Sequence, residues 1–172
     1  MEYYIQKRSI EQGRAAFVQD SSGNKLFFFT GKIGSPGDSL TLCRMNGERL
    51  AKIVQASVVF GTHFDLYLKD EKKGRMIKLI NWPKMTFLIP SNKWVVHGDL
   101  MSHTYHIQNG SKLIMDMYPA TSFLGDIFAI DILNEQDSAL CLCIASVLDY
   151  WAHNNKKSSI KQAIVGFPFP VS

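Results

Sequence analysis

At 172 residues the chain has the size of a single domain. Its 46% hydrophobic and 12% aromatic content supplies enough apolar surface for a large core and excludes general disorder. A formal charge of +4 permits weak attraction to anionic lipid or nucleic acid and establishes neither.

The first eight residues, Met1 to Arg8, hold no apolar h-region, so no signal peptide is expected. From Tyr3 to Leu133 short alternating segments are separated by turn residues, which reads as a run of β-hairpins. Ala15 to Gln19 leads through Asp20-Ser21-Ser22-Gly23-Asn24 into Leu26 to Thr30. Leu40 to Cys43 leads through Met45-Asn46-Gly47-Glu48 into Leu50 to Val54. There Asn46-Gly47 predicts a two-residue type I′ turn, whose central positions both need positive φ. Phe64 to Leu68 passes through a turn over Asp70 to Gly74 into Met76 to Ile80, and Tyr105 to Gln108 passes through Asn109-Gly110 into Leu113 to Met117. The turn glycines Gly23, Gly47, Gly74 and Gly110 are 24, 27 and 36 residues apart, an irregular repeat.

Ala139 to Leu148 is the one long apolar run, with Gln136, Asp137 and Ser138 before it. Ser138 or Asp137 can cap a helix start by accepting from free backbone N–H groups. The run is apolar around the whole helical wheel apart from Ser146, so a helix here must be enclosed on all sides. A buried strand is the alternative. Length favours a helix, because the pattern runs on through Asp149, Tyr150, Trp151 and Ala152 without a turn signal. About ten apolar residues fall well short of the ~20 that span a bilayer, so no transmembrane segment is expected.

These two features account for each other. A meander of ten or more strands removes its edges by closing into a barrel, and the interior is then too wide for side chains alone to fill. An all-apolar helix is a suitable plug. A two-sheet sandwich with the helix outside would instead require a one-sided helix.

Local motifs carry a family resemblance over nearly the whole chain. They are Tyr3-Tyr4-Ile5-Gln6, Gly31-Lys32, Gly37-Asp38-Ser39-Leu40, Gly47-Glu48-Arg49-Leu50-Ala51 and Ile53-Val54-Gln55 in the first half. Val96-His97-Gly98-Asp99 with Tyr105 to Gln108, then Gly125-Asp126-Ile127-Phe128-Ala129-Ile130, and last Ala145-Ser146-Val147-Leu148-Asp149, carry it through the second. In these the chain resembles the LURP-one-related family of tubby C-terminal-like proteins. It departs from the pattern at Met115-Asp116-Met117-Tyr118, in place of a Lys-rich strand end, and at Phe128, where Tyr is common. The resemblance implies a mainly β fold, a closed antiparallel barrel of about twelve strands around a buried C-terminal hydrophobic helix. It also implies one tubby C-terminal-like domain over 1–172, with strands over about 3–133, the helix over about 137–153 and a tail over 154–172. Relatives in this superfold include phosphoinositide-binding tubby domains and phospholipid scramblases. For the LURP-one-related branch the resemblance implies no settled activity, and fold alone does not fix function.

Lys72, Lys73, Arg75 and Lys78 form the densest basic cluster, the candidate lipid-binding residues. Exposed cations of this kind attract anionic headgroups by about 1 kcal/mol each. The plainer reading is a solvated hairpin tip, with Asp70 and Glu71 offsetting the field. Lys156, Lys157 and Lys161 favour a helix C-terminal end or, in the sharper reading, face lipid. On an extended strand His97, Asp99 and His103 share a face and His106 points away, too ordinary a cluster to predict a metal. Phe27-Phe28-Phe29 lacks interleaved cations, so nucleic-acid binding is not expected. Asp149 is a conceivable general base, more simply a partner for nearby backbone or cations. No nucleophile elbow, P-loop or dinucleotide fingerprint occurs. Cys141 and Cys143 read as small buried hydrophobes and, with Cys43, suit a reducing cytoplasm.

The apolar tail from Ile164 to Val171 reads as a cover for a barrel end. The expected function is a non-enzymatic cytoplasmic binding protein, without cofactor or metal, peripherally associated with an anionic membrane surface. The alternative is a protein-interaction or adaptor module using the barrel rim or tail.

Overall fold

The computed structural model describes residues 1–6, 16–57, 63–80, 84–122 and 125–165, with residues 57, 80 and 152–165 as backbone only. Among these residues the chain forms twelve strands, β1 (Glu2–Gln6), β2 (Ala16–Gln19), β3 (Lys25–Gly31), β4 (Ser39–Arg44), β5 (Arg49–Ser57), β6 (His63–Leu68), β7 (Glu71–Ile80), β8 (Lys84–Ile89), β9 (Trp94–Asp99), β10 (Thr104–Asn109), β11 (Lys112–Ser122) and β12 (Gly125–Ile132). One helix follows, α1 (Ser138–Val165). Strands adjacent in sequence are adjacent in space, all antiparallel, and β1 pairs with β12 to close the barrel. The closing pair sets Glu2 against Asp131, Tyr3 against Ile130 and Tyr4 against Ala129. The N-terminal ammonium donates to Ile132 O at 2.9 Å and fastens the seam.

The turns differ from expectation in an instructive way. At Asn46-Gly47 only Gly47 has positive φ, and Arg44 N donates to Glu48 O at 2.9 Å across a longer loop. A register shift between Leu42 and Cys43 takes up the extra residue as a bulge. The two-residue turn with both φ positive lies instead at Lys69-Asp70, between β6 and β7. Asp tolerates the left-handed region better than most side chains, and Lys69 N is held by Leu50 O at 3.0 Å. Gly74 is therefore no turn residue: it sits within β7 opposite Leu66. The basic cluster accordingly lies along a strand rather than at a tip.

Strand alternation turns one face of every strand inward, and α1 fills the lumen. From Leu140 to Leu148 no residue is more than 3% exposed. The strand and sandwich alternatives are thereby excluded. The helix packs against β4, β5, β6 and β12. Ser146 is the polar exception in this stretch, and its hydroxyl donates to Leu142 O at 2.9 Å, so it is satisfied within the helix. Ser138 is already helical, and its buried hydroxyl accepts from Tyr3 Oη at 3.2 Å rather than capping the helix. The helical backbone continues to Val165 instead of ending near 153, and residues 166–172 lie outside the described residues.

Ile144 sits in the middle of the enclosed stretch at 0% exposure. Ile144→Ala should lower the unfolding free energy by about 2–5 kcal/mol in urea titrations. Ile144→Asp buries an unpaired carboxylate and should give no soluble folded protein on a sizing column.

Candidate functional site: the outer wall around β7

Antiparallel pairing places Asp65 of β6 directly opposite Arg75 of β7, and Tyr67 opposite Lys72. A register shift between Leu66 and Tyr67 bulges β7 at Lys73. Lys72 and Arg75 consequently straddle one carboxylate. Lys72 Nζ lies 3.0 Å from Asp65 Oδ2, and Arg75 Nε donates to Asp65 Oδ1 at 2.8 Å. Burial raises the Asp65 carboxyl, but the hydrogen bonds and charges of Arg75 and Lys72 outweigh it and hold the pKa below the usual range. Lys73 Nζ lies 2.6 Å from Glu71 Oε2, and Arg49 pairs with Asp70 at 3.6 Å. Exposed pairs like these contribute about 0–1 kcal/mol each. Their effect is on the local field: Lys72, Lys73 and Arg75 against Asp65 and Glu71 leave one net positive charge.

Two aliphatic residues missing from the sequence reading complete this wall. Met76 points inward and is fully buried, so Lys73, Arg75, Ile77 and Leu79 share the outer face. Ile77 and Leu79 are 38% and 55% exposed. Alternation about Met76, from Gly74 to Lys78, carries the signal, and a turn placed at Asp70 to Gly74 conceals it.

Lys78 has the opposite parity and leaves the cluster. Its ammonium lies 3.8 Å from the centroid of the Trp151 ring, and Trp151 in turn packs edge-on to Phe64 with centroids 6.3 Å apart. Burial lowers the Lys78 pKa to about 8. Three of the four candidate lipid-binding cations therefore share the outer wall, and the fourth, Lys78, turns from β7 to the Trp151 ring of α1.

Other candidate residues are dispersed. The hairpin between β9 and β10 sets His97 opposite His106 on one face, the reverse of the expectation from a continuous strand. His106 Nδ1 lies 2.8 Å from Asp116 Oδ1, while His103 takes φ 56° in the turn and packs near Phe128 with centroids 6.4 Å apart. Among the described residues no group of three or more His, Cys, Asp or Glu is placed to hold a metal. Phe29 is buried, and the half-buried Phe27 packs on Tyr3 with ring centroids 6.1 Å apart. Asp149 lies near the buried Tyr105 hydroxyl, whose pKa is driven up by burial first and by the Asp149 and Asp99 charges second. Cys43, Cys141 and Cys143 are buried free thiols, and burial pushes Cys143 up to about 12. The side chains of Lys156, Lys157 and Lys161 lie outside the described residues.

Lys78 gives the contact between β7 and α1 a pH signature. Its folded pKa of about 8 lies below the ordinary 10.5, so between these values the folded protein binds fewer protons than the unfolded chain. Its penalty is fully present below pH 8 and is relieved as pH rises towards 10.5. Urea titrations of wild type and Lys78→Met at pH 7, 9 and 10.5 should show wild type gaining relative stability with pH; a constant difference contradicts this assignment.

The model of the LURP-one-related family matches residues 1–149, which takes in every strand and the enclosed part of α1. The chain is 24% identical over 160 residues to an uncharacterized Bacillus subtilis (strain 168) protein, YxjI, covering 93% of this chain and 99% of that one. It is similar in fold to an X-ray structure of a protein from Arabidopsis thaliana, with a TM-score of 0.58, 14% identity and 90% of each chain covered. The barrel, its threaded helix and the family match converge, and the chain belongs to the LURP-one-related family.

Proposed function

We propose that this chain is a non-enzymatic binding protein of the cytoplasm that docks on anionic phospholipid through the outer wall of β7. The observation that carries the reading is the order of that face: Lys73 and Arg75, then exposed Ile77 and Leu79. Cations draw a wall to an anionic surface at about 1 kcal/mol each, and aliphatic side chains then hold it by entering the headgroup boundary. Half-exposed Ile77 and Leu79 supply on the order of 1 kcal/mol apiece on burial. Charge distribution supports one orientation. β1 and β12 carry Glu2, Asp126 and Asp131 and no Lys or Arg, so that side is repelled by the surface that attracts β7. The non-enzymatic reading is supported by the lumen, which α1 fills where a wide barrel would otherwise hold a ligand.

Sedimentation with phosphatidylserine-containing vesicles at low and physiological salt tests the proposal. Wild type should sediment with anionic vesicles and release as salt rises, and Ile77→Ser combined with Leu79→Ser should weaken binding. Asp65→Asn is the sharper variant, because it frees Lys72 and Arg75 at once and should strengthen binding about fivefold. Salt-independent binding, or no gain from Asp65→Asn, removes the reading.

A further inference from the structure

Opposite β7 the barrel carries a second feature. In the closed order β1 is six strands from β7 in either direction. A groove of about 670 Å³ lies there, between the strands of β1, β2, β11 and β12 and the turn at Asp20 to Gly23. Its size falls within the roughly 300–1,000 Å³ of small-molecule sites.

Register explains its walls. Tyr4 of β1, Ala129 of β12 and Tyr118 of β11 form one cross-strand row, in which the small central residue leaves a notch between two phenol rings. Ala129 faces outward yet is only 1% exposed beneath them. Phe17 adds a third ring, and Lys25 Nζ lies 3.9 Å from its centroid, so this wall already seats an ammonium of the chain itself. The next row along is Glu2, Asp131 and Asp116, three carboxylates on adjacent strands, of which Glu2 lines the groove and the other two lie beyond its edge. Like charges directly opposite one another oppose pairing, so a cation placed here is favoured. Asp116 has His106, but Glu2 and Asp131 have no cationic partner among the described residues. Glu2 instead accepts from the Tyr4 phenol and pushes its pKa up to about 12, and the Tyr118 phenol donates to Asp131 Oδ2 at 3.4 Å. Both phenols thus direct negative charge towards their own rings. Asp20 contributes less, since its carboxylate accepts from Ser22 N and Asn24 N at 2.9 Å and from Asn24 Nδ2 at 3.0 Å.

We infer that this groove binds a small organic cation, an alkylated ammonium seated between the Tyr4 and Tyr118 rings with its charge towards Glu2 and Asp131. Aromatic rings flanked by carboxylates recognise such groups by ring-face attraction in addition to charge. The cation comes from solution rather than from a lipid headgroup, because the groove faces away from the wall assigned to the membrane; that choice of source alone rests on the proposed function.

The test uses protein with 13C-labelled tyrosine rings, titrated at constant ionic strength with choline chloride and, separately, with its uncharged isostere 3,3-dimethylbutanol. Choline should shift the Tyr4 and Tyr118 resonances saturably and leave Tyr67 unmoved, and the isostere should have little effect. Tyr118→Leu and Asp131→Asn should each weaken choline binding at least about fivefold. Should Tyr118→Leu fail to fold by circular dichroism, the exposed change Glu2→Gln replaces it with the same expectation. Equal shifts from the isostere, no saturation, or full affinity in the charge variants would overturn the inference. Shifts with phosphatidylcholine vesicles but not with choline would overturn the soluble source. No vesicle enters the choline titration, so its outcome is independent of membrane docking by β7.

Discussion

Enclosure of the Leu140–Leu148 stretch is the constraint on which the rest of the architecture depends. A helix with no polar flank has no stable place on a surface, and a twelve-strand cylinder has no stable empty interior. Each element supplies what the other lacks. Closure also determines where the ends of the chain meet. Pairing β1 with β12 brings Tyr3 to the start of α1, where its hydroxyl meets Ser138, and the N-terminus to Ile132. The seam and the plug are thus bonded at the same point, so strand closure and helix insertion reinforce each other.

A filled lumen leaves the outer wall as the surface that other molecules can reach. In a barrel every second residue of each strand points outward, so a surface site is assembled from the register between strands and not from any continuous segment. Asp65 acquires two cations because the β6–β7 bulge brings Lys72 and Arg75 to either side of it. Ala129 becomes the floor of a notch because Tyr4 and Tyr118 are its neighbours on either side. In the first case one hairpin, and in the second three strands drawn from both ends of the chain, act as one local environment.

This difference separates what could be read in advance from what could not. The hairpin succession and the all-apolar run required only local patterns, and they were enough to anticipate a closed barrel around a helix. The turn chemistry was less legible. Asn46-Gly47 has the composition of a type I′ turn, yet the geometry formed at Lys69-Asp70, which lacks glycine. Misplacing that turn assigned Lys72, Lys73 and Arg75 to a solvated tip and hid their alignment with Ile77 and Leu79. Lys78 was grouped with them by proximity in sequence, although its strand parity directs it to Trp151. The histidines were misread for the same reason: a reversal at His103 turned His106 back beside His97.

The two walls also differ in the sign of their field, and geometry keeps those fields apart. Twelve strands spaced about 4.8 Å apart give a backbone cylinder at least about 18 Å across, wider once strand tilt is included. The Debye length at physiological ionic strength is about 8 Å. An anionic surface approaching β7 therefore meets Lys73 and Arg75 while the carboxylates of Glu2 and Asp131 are screened by solvent on the far side. A cation entering the β1 groove is equally remote from the basic wall. A net charge of +4 conveys none of this, because it averages two surfaces of opposite charge. The solid apolar core of the barrel holds those surfaces apart.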